Sequence, residues 1–264
     1  GVDSLPAIPQ DNTDRNRTSP MAFTGNKFEF RMLGSSQSIS GPNITLNTIM
    51  AEELEQFADE LEASRDFQAD LEKLIRRVFT EHQRIIFNGN GYDEAWLEEA
   101  GKRGLSNLTS TADALPMYTA PKNVDLFVKH GIYTKEELFS RYEIKEENYI
   151  KTINIEAKTM LSMMKKTFLP SVLSYCKELA ETAAKTKAIL PDAPISAESK
   201  LLEKLSGLYT EISEKTEALA EAEKAAESME DNIEKVTYFH YTILAKMDDL
   251  RSSVDTAEAL IPDS

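Results

Sequence analysis

Residues 14–31 read DRNRTSPMAFTGNKFEFR, and the rest of the chain can be read outward from this stretch. Its second half alternates between charged and apolar residues over 27–32. Alternation of period two is typical of a strand with one buried face, so the pattern predicts a strand over 26–33. Lys27, Glu29 and Arg31 then share the opposite face, and solvent exposure is the simplest explanation of their charges.

The neighbouring arginines favour a second interpretation of this face. Glu29 and Arg31 lie two residues apart on one side of the predicted strand, and Arg15 and Arg17 lie a loop away. A carboxylate is a good ligand for a hard divalent cation, and guanidinium groups bind phosphate oxygens in pairs. Together these side chains could hold a metal ion and a phosphoryl group.

Four short motifs here resemble the end of the catalytic domain of a class III glutamine synthetase: NRTS at 16–19, FEFR at 28–31, GSSQS at 34–38 and GPN at 41–43. The resemblance implies that Glu29 is a metal ligand and that Arg31 is a catalytic residue at the transferring phosphate and the substrate glutamate. It implies that Arg17 binds the nucleotide phosphates, and it gives Arg15 no role. Type I relatives carry a second arginine after this first motif, which residues 21–23 do not supply, so part of the phosphate clamp stays unassigned.

The implied activity is that of an ATP-dependent ligase. Glutamate is phosphorylated on its side chain with ATP as the substrate, and ammonia displaces the phosphate to give glutamine. The implied cofactor is Mg²⁺ or Mn²⁺, and the implied assembly is a homo-oligomer of stacked rings, a dodecamer. The alternative is a non-catalytic helical assembly module, which residues 134–264 would suggest if read alone. Such a module has no reason to carry the motifs at 16–19 and 28–31.

The predicted fold is mainly α with a small β contribution at the N-terminal end. Residues 1–155 are assigned to the C-terminal part of the α+β catalytic domain, and residues 156–264 to a helical hairpin or coiled-coil extension. Residues 1–25 are predicted as loop, and the strand has no nearby sheet partner. Since the chain also lacks a starting methionine, we interpret it as the C-terminal part of a longer protein and expect it to be inactive alone.

Composition excludes several classes of partner. The 264 residues are 41% hydrophobic and 28% charged, which is typical of a globular protein, and the net charge is −15. So acidic a surface disfavours nucleic acids and anionic membranes. The single cysteine, Cys176, cannot form an intrachain disulfide, and no long apolar run is present. We therefore predict a cytoplasmic protein with neither nucleic-acid nor membrane partners.

The middle of the chain reads as a series of helices. Asn43 is a good N-cap, and an apolar stripe follows it at Leu46, Met50, Leu54, Phe57 and Leu61. Further on, Asp93 is predicted to cap a short helix that Gly104 ends. Another helix ends near His130, and a long helix over 134–189 is interrupted by Pro170. Because the three histidines are far apart in sequence, no zinc site built from clustered histidines is predicted.

A heptad seam fills the last part of the chain, from Leu201 to Ile261, with 16 of its 18 positions apolar. It predicts one unbroken helix that folds back on 134–189 as a hairpin, with its overhanging part packed on another subunit. Lys215 and His240 are the polar exceptions. Lys215 is predicted to lie near the turn and reach water easily, and His240 to be enclosed and hydrogen-bonded.

Overall fold

The structure is a computed structural model that describes residues 21–23, 28–30, 34, 37–87 and 90–262, the first two stretches as backbone only. These residues pack as two units. The first runs up to Thr109 and includes Ala120–Lys135, and the second combines Ser110–Thr119 with the residues from Glu136 onward. The predicted boundary between residues 155 and 156 divides the chain by its resemblance to a family and not by how the helices pack. It stays a prediction.

Two short strands lie near the beginning of the described chain. Strand β1 (Met21–Phe23) pairs antiparallel with β2 (Phe28–Phe30), with Met21 opposite Phe30 and Ala22 opposite Glu29. The loop prediction is therefore wrong at 21–23, and so is the expectation that the strand has no nearby partner. A pair of this size does not test whether the stretch belongs to an α+β catalytic domain.

Helices make up most of the described chain, as predicted. They are α1 (Ser40–Glu62), α2 (Phe67–Glu81), α3 (Glu94–Lys102), α4 (Thr111–Ala114), α5 (Pro121–Lys129), α6 (Lys135–Met163), α7 (Leu169–Ile189), α8 (Ser196–Glu227), α9 (Asn232–Tyr238) and α10 (Ala245–Glu258). Two π-helical stretches, Met164–Phe168 and Phe239–Leu244, join α6 to α7 and α9 to α10. Within the described ranges, no helix combines the length and the apolar composition that crossing a membrane requires.

Helix α1 differs from its prediction at both its start and its surface. It begins at Ser40 rather than after Asn43, since the Ser38 hydroxyl accepts a hydrogen bond from the Ser40 N–H at 3.2 Å and a proline is tolerated in a first turn. Its apolar stripe is only partly covered: Leu54 is 59% exposed and Met50 is 37% exposed. The prediction of a packed stripe is therefore wrong at these two positions.

Helix α3 has the predicted ends. The Asp93 carboxylate accepts a hydrogen bond from the Ala95 N–H at 3.1 Å. Gly104 has a φ of +71°, and the Leu105 N–H donates back to the Ala100 carbonyl at 2.9 Å. This backbone arrangement ends many helices, and glycine is favoured in it because it has no Cβ to clash.

The interruption predicted at Pro170 is present as the π-helical stretch Met164–Phe168, which leads into α7. Proline lacks an N–H and its ring clashes with the carbonyl four residues earlier, here that of Lys166. Lys166 lies within the π-helical stretch. The wider turn thus lets the helix continue past the proline instead of ending there.

The heptad seam is not one helix, and that prediction is wrong. Helix α8 ends at Glu227, and α9 begins at Asn232 after the Asp231 carboxylate accepts a hydrogen bond from the Glu234 N–H at 2.9 Å. The chain then returns, so that α8 packs against both α7 and α10. The second half of the seam is buried inside this unit at Val236, Ile243, Met247, Leu250, Val254 and Ala257. These positions are therefore covered within one chain, and the predicted packing of an overhanging part of the seam on another subunit stays a prediction.

Candidate functional site

The predicted site residues fall mostly outside the described residues. Arg15, Arg17 and Arg31 lie outside them, and nothing about their positions is tested. Glu29 is described through its backbone, which lies in β2 opposite Ala22. The metal role of Glu29, the catalytic role of Arg31 and the nucleotide role of Arg17 therefore stay predictions.

A charged cluster joins two helices of the first unit; we call Glu52, Glu55, Lys129 and His130 the Glu52 cluster. Lys129 Nζ lies 2.7 Å from Glu52 Oε2 and 2.9 Å from Glu55 Oε2. His130 Nε2 lies 2.7 Å from Glu52 Oε2 and 3.7 Å from Glu55 Oε2. Two carboxylates and an imidazole nitrogen thus converge on one point, which the lysine ammonium also approaches.

The local sequence explains how the Glu52 cluster forms. Glu52 and Glu55 are three residues apart on α1, so they lie on one face of that helix. Lys129 is the last residue of α5, and His130 caps it by donating its backbone N–H to the Leu126 carbonyl at 3.2 Å. Cationic side chains are favoured at a helix C-terminus by the helix dipole. Sequence reasoning placed His130 correctly in this turn but missed its partners, because they lie on a helix 78 residues earlier.

These contacts change the ionisation of the cluster. The hydrogen bond from Lys129, followed by those from Gln56 and His130, lowers the pKa of Glu52 from 4.5 to about 2. Hydrogen bonds to Glu52 and Glu55 raise the pKa of Lys129. The Glu52 carboxylate and the Lys129 ammonium are therefore both ionised at neutral pH.

We expect the contact between α1 and α5 to weaken as the pH falls. Because the folded-state pKa of Glu52 is depressed, its contribution to stability is present above pH 4.5 and is lost as the pH falls toward 2. Replacing Glu52 by Gln should reduce this acid dependence, and replacing the exposed Glu53 by Gln should not. Amide hydrogen exchange of α5 between pH 5 and about pH 2 measures the effect, and equal profiles for the parent and Glu52→Gln would contradict it.

A second polar network lies inside the second unit and connects residues 110–119 to the helices. Tyr241 donates a hydrogen bond to Asp113 Oδ1 at 2.7 Å, and the Ser110 hydroxyl donates to Asp113 Oδ2 at 2.6 Å. These hydrogen bonds, that of Ser110 first, lower the pKa of Asp113. Beside them, the Tyr149 hydroxyl lies 2.9 Å from His240 Nδ1. The predicted hydrogen bonding of His240 is confirmed, and its partner is a tyrosine of α6.

Lys215 joins α8 to α10. The prediction that it lies near the turn is wrong, because it lies beyond the middle of α8, although 24% of its side-chain surface stays exposed. Its Nζ lies 2.8 Å from Glu211 Oε1 and 2.8 Å from Asp249 Oδ1, and it donates to the Ser253 hydroxyl at 2.8 Å. The hydrogen bond to Asp249, followed by that to Glu211, raises the pKa of Lys215. Because α10 returns along α8, a seam position that looked exposed faces a partner helix.

Replacing Lys215 by Met is therefore expected to destabilise the second unit by about 1 kcal/mol, because the side chain keeps its length and loses its charge-assisted contacts. This differs from the sequence-based prediction of a lysine with easy access to water, for which an apolar replacement would be neutral or stabilising. Chemical unfolding followed by circular dichroism measures the change. Lys204→Met, at an exposed position of the same helix, is the control, and an unchanged midpoint for Lys215→Met would contradict the prediction.

An apolar cleft of about 380 Å³ lies in the second unit, between the end of α6 and α10. Methionines line much of it, at Met160, Met163, Met164 and Met247. Methionine is flexible and adapts to irregular surfaces, so the cleft by itself does not specify a ligand.

Comparison with known proteins identifies the relatives of this chain. Residues 70–187 match the family model described as the glutamine synthetase C-terminal domain. Three similar proteins are named as follows. The glutamine synthetase of Butyrivibrio fibrisolvens is 40% identical over 256 residues, which cover 96% of this chain and 36% of that protein. The type-3 glutamine synthetase of Dictyostelium discoideum is 37% identical and the glutamine synthetase of Bacteroides fragilis is 31% identical, each over 100% of this chain and 37% of the relative.

These alignments confirm the resemblance inferred from the motifs at 16–19 and 28–31. They extend along nearly all of the chain, although the chain spans only 36% to 37% of the length of these relatives. The chain therefore belongs to the glutamine synthetase family and corresponds to a part of its longer members.

Proposed function

We propose that the protein to which this chain belongs is an ATP-dependent glutamine synthetase, which converts glutamate and ammonia to glutamine through a glutamyl-phosphate intermediate. The observation that carries the proposal is the alignment of nearly the whole chain with proteins named glutamine synthetase at 31% to 40% identity. The helical-module alternative explains the bundle of the second unit equally well. It does not explain why the similarity also covers the N-terminal stretch.

The N-terminal stretch would contribute to the catalytic domain. In this proposal Glu29 holds Mg²⁺ or Mn²⁺, Arg31 acts at the transferring phosphoryl group and the substrate glutamate, and Arg17 binds the phosphates of ATP. A metal ion and guanidinium groups are suited to this reaction, because they stabilise the negative charge that spreads over the phosphoryl oxygens in the transition state. The backbone of Glu29 lies in β2 opposite Ala22 of β1, which is compatible with this role.

The assembly proposed for the whole enzyme is a homo-oligomer of stacked rings, a dodecamer, in the cytoplasm. The net charge of −15 supports the proposal that it acts on small molecules rather than on nucleic acids. The second unit contributes a helical bundle whose core closes within one chain, so it does not need a partner subunit to bury the heptad seam.

Glutamine formation by the full-length protein tests the proposal. We expect glutamine and ADP to appear together, and to require ATP, glutamate, ammonia and a divalent cation. Absence of ATP-dependent glutamine formation by a folded full-length protein would overturn the proposal and leave the helical-module alternative.

The 264-residue chain alone is expected to form no glutamine in the same assay. Catalysis requires several metal and substrate ligands in one geometry, and this chain supplies about a third of the length of its relatives. The control is the same chain carrying Glu29→Ala. Turnover by the parent chain above that control would show that it contains a complete site.

A further inference from the structure

The Glu52 cluster goes beyond the proposed function, because none of its residues has a role in that reaction. We propose that Glu52, Glu55 and His130 form a binding site for a divalent transition-metal ion such as Zn²⁺, and that Lys129 is the resident cation which the metal displaces. The contacts of these four side chains carry the proposal.

The three ligand groups already converge. One ligand atom from each of Glu52, Glu55 and His130 lies within 4.8 Å of the other two. Zinc is bound by nitrogen and oxygen ligands at about 2.0–2.2 Å, so two ligands of a tetrahedral site lie about 3.3 Å apart. The observed separations from His130 Nε2, 2.7 Å to Glu52 and 3.7 Å to Glu55, lie on either side of that value. Small side-chain rotations would therefore complete three ligand positions, and water can supply the fourth.

The chemistry of the ligands selects the kind of metal. Mg²⁺ and Ca²⁺ prefer oxygen ligands only, whereas zinc and its neighbours in the first transition row readily accept an imidazole nitrogen. The side chain of His130 is 17% exposed and that of Glu52 is 21% exposed, so two of the ligands are held against the protein rather than extended into water. Their backbones are fixed by helix α1 and by the last turn of α5.

Lys129 marks the position that a cation would take. Its ammonium contacts Oε2 of both glutamates, which are the oxygens offered to the metal. Two carboxylates near one point repel each other unless a cation lies between them, and a single positive charge compensates them only in part. The side chain of Lys129 is 47% exposed, so it can move into water and leave the position to a divalent ion. Lysine and metal would then compete for the same two carboxylates.

Competition distinguishes a metal site from a purely electrostatic contact. We expect the intact 264-residue chain to bind Zn²⁺ in a calorimetric titration, and Lys129→Met to bind it at least tenfold more tightly, because the competing cation is gone and the side-chain length is kept. His130→Asn and, independently, Glu55→Gln should each weaken binding at least tenfold. Lys73→Met, which removes an exposed lysine paired with Asp70 elsewhere in this unit, is the control and should bind like the parent.

All variants are made in a Glu29→Gln background. The metal site proposed for catalysis then contributes equally, or not at all, to the Zn²⁺ binding of each variant. Circular dichroism establishes that each variant folds, and Co²⁺ supplies a second readout. Its visible absorption should be stronger in Lys129→Met than in the parent and should be lost in Lys129→Met/His130→Asn. Failure of Lys129→Met to bind Zn²⁺ more tightly than the parent, or unchanged Zn²⁺ affinity in folded His130→Asn, would overturn the proposal without affecting the synthetase assignment.

Discussion

Glu29→Gln in the full-length enzyme is expected to raise the concentration of Mg²⁺ needed for half-maximal glutamine formation by at least tenfold, while the fold stays intact. The amide keeps the shape of the side chain and loses its negative charge, and hard cations bind carboxylate oxygens far better than amide oxygens. Activity assayed over a range of Mg²⁺ concentrations measures the shift. The change should be largest at low Mg²⁺ and should diminish at saturation.

Arg31→Lys tests the neighbouring role in the same assay. Lysine keeps the positive charge but cannot form the paired hydrogen bonds that a guanidinium group makes with phosphoryl oxygens. If Arg31 acts on the charge that develops in the transition state, its replacement should lower kcat by about 10²-fold or more, as the loss of a transition-state hydrogen-bond donor does in other enzymes. The Mg²⁺ requirement should change much less than in Glu29→Gln.

Lys27→Gln is the matched control for both variants, because Lys27 lies on the same predicted face of the strand and has no assigned role. It should keep the activity and the Mg²⁺ dependence of the parent. Parental kinetics in both Glu29→Gln and Arg31→Lys would return this face to its simpler interpretation as a solvated surface.

The ends of the helices were predictable where a single residue determines them. Asp93 and Gly104 act through local backbone geometry, and both were recognised from the sequence. The break between α8 and α9 has an equally local cause, since Asp231 is followed three residues later by Glu234, which is a helix-start pattern. This break was not predicted, because the apolar heptad pattern continues across it. One long helix and two helices folded on each other require the same apolar stripe, so periodicity alone cannot distinguish them.

The candidate sites were predictable to very different degrees. The roles of Arg17, Glu29 and Arg31 came from resemblance to a family, because alternation alone is equally typical of a solvated strand. The Glu52 cluster could not be derived from spacing, since Glu52 and His130 lie 78 residues apart and meet only through the packing of α1 and α5. Lys215 shows the same limitation, because its partner Asp249 becomes a neighbour only when α10 folds back along α8.

Leu250→Ala is expected to destabilise the second unit by about 2–5 kcal/mol. Leu250 lies on α10 with no exposed surface, within the core to which α8 contributes Leu205, Ile212 and Leu219. Truncating a buried leucine loses its transfer free energy and leaves a cavity that the surrounding helices fill only in part. Leu173→Ala on α7 is the control, because that leucine is 55% exposed and its truncation should change stability by less than about 0.5 kcal/mol.

The same variant distinguishes a core within one chain from an interface between subunits. If the second half of the seam is buried inside the bundle, Leu250→Ala lowers the urea midpoint equally at low and high protein concentration, because folding of one chain does not depend on concentration. If this half packed instead on another subunit, the loss would be larger in the diluted protein and light scattering would show smaller assemblies. We expect the first result, since α10 packs against α8. Lys215 and Ser253 also connect the two helices through a hydrogen bond of 2.8 Å. A midpoint that shifts with concentration would place the seam between chains.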